Sequence, residues 1–81
     1  MDDLSTLRNK IDDLDSKIMA LLEQRFNLSR AVGEYKKKYN LPVLHSNREQ
    51  EIFDKTSRYS NYPQIKEIYK TILKTSKDVQ N

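Results

Sequence analysis

Apolar residues recur at alternating three- and four-residue intervals over positions 4–39: Leu4, Leu7, Ile11, Leu14, Ile18, Leu21, then Leu28, Val32, Tyr35 and Tyr39. A heptad seam sustained for about five repeats predicts one long helix. Arg25 takes the seam position between Leu21 and Leu28. A fixed positive charge left unpaired in a core would cost several kcal/mol. Two readings follow. Arg25 either sets the register, as polar residues do at such positions, or its buried charge awaits an anion. Length adds a constraint. A helix over 4–39 is about 54 Å long, whereas a compact globule of 81 residues is about 30 Å across, with a radius of gyration near 12 Å. The far end of the helix must bury its seam against another chain, which predicts a dimer with paired long helices.

Three helices account for the chain. Asp2 and Asp3 give the first an acidic start that suits the N-terminal dipole, with Asp3 or Ser5 as its cap. Gly33 interrupts the helical pattern at a cost of about 1 kcal/mol relative to Ala; either the helix is locally weak there or, the favoured reading, a neighbouring backbone passes close to it. Pro42 pushes Leu41 toward extended geometry and ends the helix. Residues 40–45 form a short connector. Ser46-Asn47-Arg48-Glu49 matches a capping box and opens a second helix over 47–58, with Ile52 and Phe53 inward. Ser60-Asn61-Tyr62-Pro63 breaks the chain, and proline suits the first turn of the third helix. That helix spans 63–79 and is expected to bury Ile65, Ile68, Tyr69, Ile72 and Leu73. The expected fold is all-α, long, short and medium, in one domain over 1–81.

Composition narrows the function classes. The chain has no cysteine, so it offers no disulfide framework, thiolate metal site or thiol nucleophile. No apolar run approaches the ~20 residues a membrane span needs, and the acidic start lacks the apolar region of a secretory signal. A cytoplasmic location and no membrane partner are expected. The net charge of +3 raises nucleic acid as a partner. Yet acidic residues are interspersed along the first helix, and the dense basic run Lys36-Lys37-Lys38 sits at its end, where the macrodipole favours cations. A mixed-sign surface is a poor phosphate track, so no nucleic-acid partner is expected.

The candidate chemistry lies where polar residues interrupt the stripes. Lys36 follows Arg25 by eleven residues, about 1100° of helix, so the two point within ~20° of one direction and stand roughly 16 Å apart. Two long cationic side chains leaning together could hold one small dianion. Arg8 lies about 25 Å before Arg25, too far to share that ligand within one chain. In an antiparallel pair of long helices it reaches the partner's Arg25 region. Ordinary solvated charge remains the plain alternative for Arg8 and Lys36. Arg48 and Glu49 open the second helix, and the cap alone explains a glutamate there. Ser76 and Gln80 are an i, i+4 pair on the third helix, or simply its frayed end. Together these residues make three helices polar on their inward sides, as in bundles that hold an internal ligand. His45 reads as a loop residue, and no metal cluster is evident.

The order Leu7-Arg8-x-x-Ile11-Asp12-x-Leu14-Asp15, Leu22-x-x-Arg25, Val32-Gly33-x-x-Lys36, Pro42-Val43, Arg48-Glu49 and Ser76-x-x-x-Gln80 resembles the all-helical chorismate mutases of the AroQ class. The resemblance implies an intertwined homodimer of three-helix chains, each of whose two sites is completed by an arginine from the partner. Carried over, Arg8 is that trans residue, gripping one carboxylate of chorismate, and Arg25 holds the other. Lys36 and Gln80 donate to the ether oxygen of the breaking C–O bond. Glu49 contacts the ring hydroxyl, Arg48 supports that corner, and Ser76 lies near a carboxylate. The implied reaction, a unimolecular Claisen rearrangement of chorismate to prephenate, needs no cofactor, metal, base or nucleophile. A protein contributes a reactive conformation and donors aimed at the oxygen that gains charge.

Two departures from the family pattern stand out. His45 takes the place, three before the Arg-Glu pair, where relatives commonly carry an acidic residue. A main-chain contact there survives that change, whereas a side-chain contact would weaken hydroxyl recognition. The segment between the second and third helices, 58–63, is short, which trims a surface turn. The sequence, bearing no dehydratase, dehydrogenase or regulatory segment, reads as a stand-alone mutase without feedback control, or as an excised domain. Two other functions suit the same scaffold: isochorismate-pyruvate lyase, and a non-catalytic mutase-like module that modulates a partner enzyme.

Overall fold

The computed structural model describes residues 3–42 and 46–81, the side chain of Ser46 excepted. Three helices follow one another: α1 (Leu4–Lys38), α2 (Ser46–Thr56) and α3 (Tyr62–Gln80). No strand occurs among the described residues. The all-α order of long, short and medium is as the periodicity predicts. The chain is an elongated body of 57 × 23 × 14 Å with a radius of gyration of 16.0 Å, against about 12 Å for a compact chain of this length.

Asp3 caps α1, its carboxylate accepting the Thr6 N–H at 2.8 Å. It therefore stands just outside the first turn rather than in it, and Ser5 lies inside the helix. That hydrogen bond lowers the Asp3 pKa below its ordinary value. The cap's contribution is present above the unfolded-state pKa and is lost as pH falls through the lowered folded one. At the other end Asn40 adopts φ 55°, the left-handed geometry that asparagine tolerates. The Leu41 N–H then reaches the Lys36 carbonyl at 2.8 Å and the Asn40 N–H that of Lys37 at 3.4 Å, a Schellman ending.

α2 stops at Thr56, two residues before the expected end. The Thr56 and Ser57 hydroxyls donate back to the carbonyls of Phe53 and Asp54 at 2.6 and 2.7 Å. The backbone then tightens into i→i−3 bonds from Ser57, Arg58 and Tyr59. α3 begins at Tyr62 with Pro63 in its first turn. The cap expected from the Ser46 side chain lies outside the described residues, as do Asp2, Val43 and His45.

α3 is the centre of the chain. Its backbone comes close to both α1 and α2, and among the described residues those two helices do not approach each other as closely. It runs in the same direction as α1: Ile65, Ile68 and Ile72 flank a groove with Ile18, Leu21 and Leu22, and Ser76 then meets Arg25 and Gln80 meets Lys36. The surface of α1 toward α3 is not the heptad seam. The residues of α1 that lose exposure are Leu22, Arg25, Phe26, Ser29, Gly33 and Lys36, a mixed stripe of small, apolar and cationic side chains. All ten apolar seam residues stay exposed, from 45% at Leu7 to 68% at Leu28. Residues 3–21 are exposed without exception. Ile68, expected in the core, is 61% exposed, whereas Leu73 is buried at 6%. Ile68 lies at the mouth of the same uncovered groove.

Candidate active site

The two small residues of the α1 stripe decide how closely α3 can approach. Ser29 and Gly33 are one helical turn apart and both buried. A Cβ at position 33 would stand 2.6 Å from the Cα of Gln80 and 2.9 Å from its carbonyl carbon, and nearer still to its carbonyl oxygen. No side chain fits there without moving backbone. The close approach expected at Gly33 is therefore present, and the neighbour is the end of α3.

That contact delivers Gln80 to Lys36. The Lys36 ammonium donates to Gln80 Oε1 at 3.1 Å, which leaves the amide NH₂ as the donor end of the side chain. One turn earlier on α3, Ser76 is 5% exposed and accepts a hydrogen bond from Arg25 Nη1. Its own hydroxyl donates to the Ile72 carbonyl at 2.7 Å. The serine thus orients a guanidinium that carries a positive charge at every accessible pH. From α2, Glu49 accepts from Lys77 of α3 at 3.0 Å. Arg48 faces the same space, its 3.9 Å approach to Glu51 being a loose pair between exposed side chains.

A pocket of about 280 Å³ lies between these groups. Its walls include Arg25, Ser29 and Lys36 of α1, Arg48 and Glu49 of α2, and Ser76, Lys77 and Gln80 of α3. Leu28, Val32, Ile52 and Leu73 supply the apolar surface. Four cations against one carboxylate leave a net charge of +3, suited to a small polyanion with an apolar frame. Six of the eight residues singled out from the sequence converge here. Arg8 does not: it is exposed on the projecting half of α1. His45 is outside the described residues. Among the described residues no cluster of metal-ligating side chains is present, and no helix is long and apolar enough to cross a membrane.

Residues 7–81 match the chorismate mutase type II family. The chain belongs to that family. It is 42% identical over 69 residues to a bifunctional chorismate mutase/prephenate dehydratase of Aquifex aeolicus, covering 85% of this chain but 18% of that protein. To a chorismate mutase of Methanocaldococcus jannaschii it is 28% identical over 82 residues, covering 95% and 83% of the two chains. A conserved hypothetical protein from Pyrococcus furiosus has the same fold, with a TM-score of 0.86 at 37% identity and 96% and 95% of the two chains covered. Within this mutase-family chain, Lys77 and Ser29 are the lining residues that sequence patterning missed. The Ser29–Gly33 spacing carried a usable signal, two small residues on one helix face. Lys77 carried none, because a lysine beside Ser76 reads as solvated charge until α2 is placed against it.

Replacing Gly33 with alanine tests how the pocket is assembled. Alanine gains about 1 kcal/mol of helix propensity, while overpacking a close contact costs about 1–3 kcal/mol. The end of α3 can yield more readily than the middle of α1. The expected result is a melting temperature within a few degrees of the parent and kcat for the reaction proposed below reduced at least tenfold, read by thermal denaturation beside steady-state kinetics. Unchanged kcat would show that Gln80 does not depend on this contact.

Proposed function

We propose that the chain is a chorismate mutase, converting chorismate to prephenate by conformational restraint and electrostatic stabilisation. The observation that carries this reading is the Lys36–Gln80 pair, the ammonium donating to Gln80 Oε1 at 3.1 Å in a pocket of net positive charge with Arg25 on its wall. The rearrangement breaks one C–O bond and forms one C–C bond within a single molecule, with no proton transferred. Negative charge grows on the ether oxygen as the C–O bond stretches. The Lys36 ammonium and the Gln80 NH₂ are the donors for that oxygen. Arg25, steadied by Ser76, takes one substrate carboxylate. Glu49 accepts from the ring hydroxyl, and Arg48 supports that corner. An apolar floor of Val32, Ile52 and Leu73 favours a compact substrate conformer with the reacting carbons in contact.

The working form is an intertwined homodimer in this proposal. Ten exposed seam residues and the uncovered groove beside Ile18, Leu21 and Ile68 support it. Arg8, far from its own pocket, then serves the partner's pocket and takes the second carboxylate. The surroundings are the cytoplasm and the pathway is aromatic amino-acid synthesis. Loss of chorismate absorbance with purified protein, matched by appearance of prephenate, tests the activity. Isochorismate in a parallel assay separates a mutase from a lyase that releases pyruvate, and an inert protein in both assays overturns the proposal.

A further inference from the structure

We infer that Lys77 is a positioning residue for recognition of the substrate's ring hydroxyl, acting through Glu49; the inference rests on the mutase reading above. Three observations carry it. The first is connectivity: among the described residues the backbone of α2 comes close to α3 and not to α1, so α3 is the helix against which the first turn of α2, where Glu49 stands, is set. The Lys77–Glu49 ion pair, at 3.0 Å, ties that turn to α3 beside the pocket.

The second is environment. The Lys77 and Glu49 side chains are 37% and 26% exposed. The Arg48–Glu51 and Lys70–Glu67 pairs, each within one helix, are 57–74% exposed. Water and salt screen a half-buried pair less than a surface one. It is also formed across elements, so it fixes a tertiary position rather than one helical turn.

The third is what Glu49 would otherwise do. It is the carboxylate in a pocket that also holds Arg25, Lys36 and Arg48, and a carboxylate released there would lose the fixed orientation that recognition of a hydroxyl needs. Lys77 commits Oε1 to the α3 side and leaves Oε2 to accept from a hydroxyl. Consecutive residues of α3 thus serve opposite walls: Ser76 steadies Arg25, and Lys77 steadies Glu49.

The experiment is a double-mutant cycle with Lys77→Met, Glu49→Gln and the two combined, beside Lys77→Arg, with wild-type turnover of chorismate measured first. Lys77→Met is expected to raise KM about tenfold with kcat within about threefold, and to add nothing in the Glu49→Gln background. An analogue lacking the ring hydroxyl, read as an inhibition constant, should bind wild type and Lys77→Met alike. Lys77→Arg should recover most of the loss, and circular dichroism melts should confirm that each variant folds. Additive losses, or equal weakening toward the hydroxyl-free analogue, would mean that Lys77 binds the dianion directly and would overturn the inference alone. Wild-type parameters for Lys77→Met would do the same. A folded wild-type protein that leaves chorismate untouched would overturn both this inference and the mutase reading.

Discussion

Replacing Lys36 with methionine is expected to lower kcat on chorismate by about 10²–10³-fold, with KM changed far less. One donor aimed at a developing oxyanion typically supplies about 2.7–4 kcal/mol of transition-state stabilisation. The ether oxygen carries little charge in the ground state, so the loss falls on kcat rather than on binding. Methionine keeps most of the half-buried aliphatic stem and removes the ammonium that donates to Gln80 Oε1. Gln80 then loses its orienting partner too. A Gln80→Ala change made on top of Lys36→Met should therefore cost much less than Gln80→Ala alone. Steady-state kinetics with a melting curve for each variant decides the matter. A kcat within fivefold of wild type in folded Lys36→Met protein would remove Lys36 from the chemistry.

The second large effect concerns two inactive proteins that regain activity when mixed. Arg25→Ala removes the guanidinium that Ser76 orients, and Arg8→Ala removes a side chain that its own pocket does not contain. Each variant alone is expected to lose most activity, since both proposed carboxylate grips are needed for a dianion. Subunit exchange between them produces mixed dimers with one pocket lacking both arginines and one pocket intact. Activity should rise with the fraction of mixed dimer, measured by differential tagging, toward half of the wild-type value per dimer. Recovery that never comes, with mixed dimers present, would rule out a pocket shared across the interface.

Much of this architecture is legible in the residue pattern, and each miss has a physical cause. The seam along α1 gives the helix and its length directly, because ten apolar residues at heptad spacing admit few other conformations. Gly33 is legible because a glycine inside a helix has a cost that something must explain, and Gln80 explains it. What the pattern conceals is which side of α1 meets its own chain. That side is Leu22, Arg25, Phe26, Ser29, Gly33 and Lys36, too mixed in polarity to register as a stripe. Ile68 illustrates the same difficulty from α3: its periodicity assigns it to an interior, but this chain alone leaves it open. The end of α2 is misjudged because Thr56 and Ser57 compete for backbone carbonyls through their hydroxyls. Lys77 is legible only in three dimensions, since its partner lies in another helix.

The bare first half of α1 carries a thermodynamic consequence. With residues 3–21 all exposed, that half draws little burial from its own chain, and a helix of about 18 residues with so little support is marginal in water. Assembly would then supply what the single chain lacks. In the proposed dimer folding and association become one equilibrium, and dilution alone should lower the melting temperature by mass action, with no change of buffer, ligand or sequence.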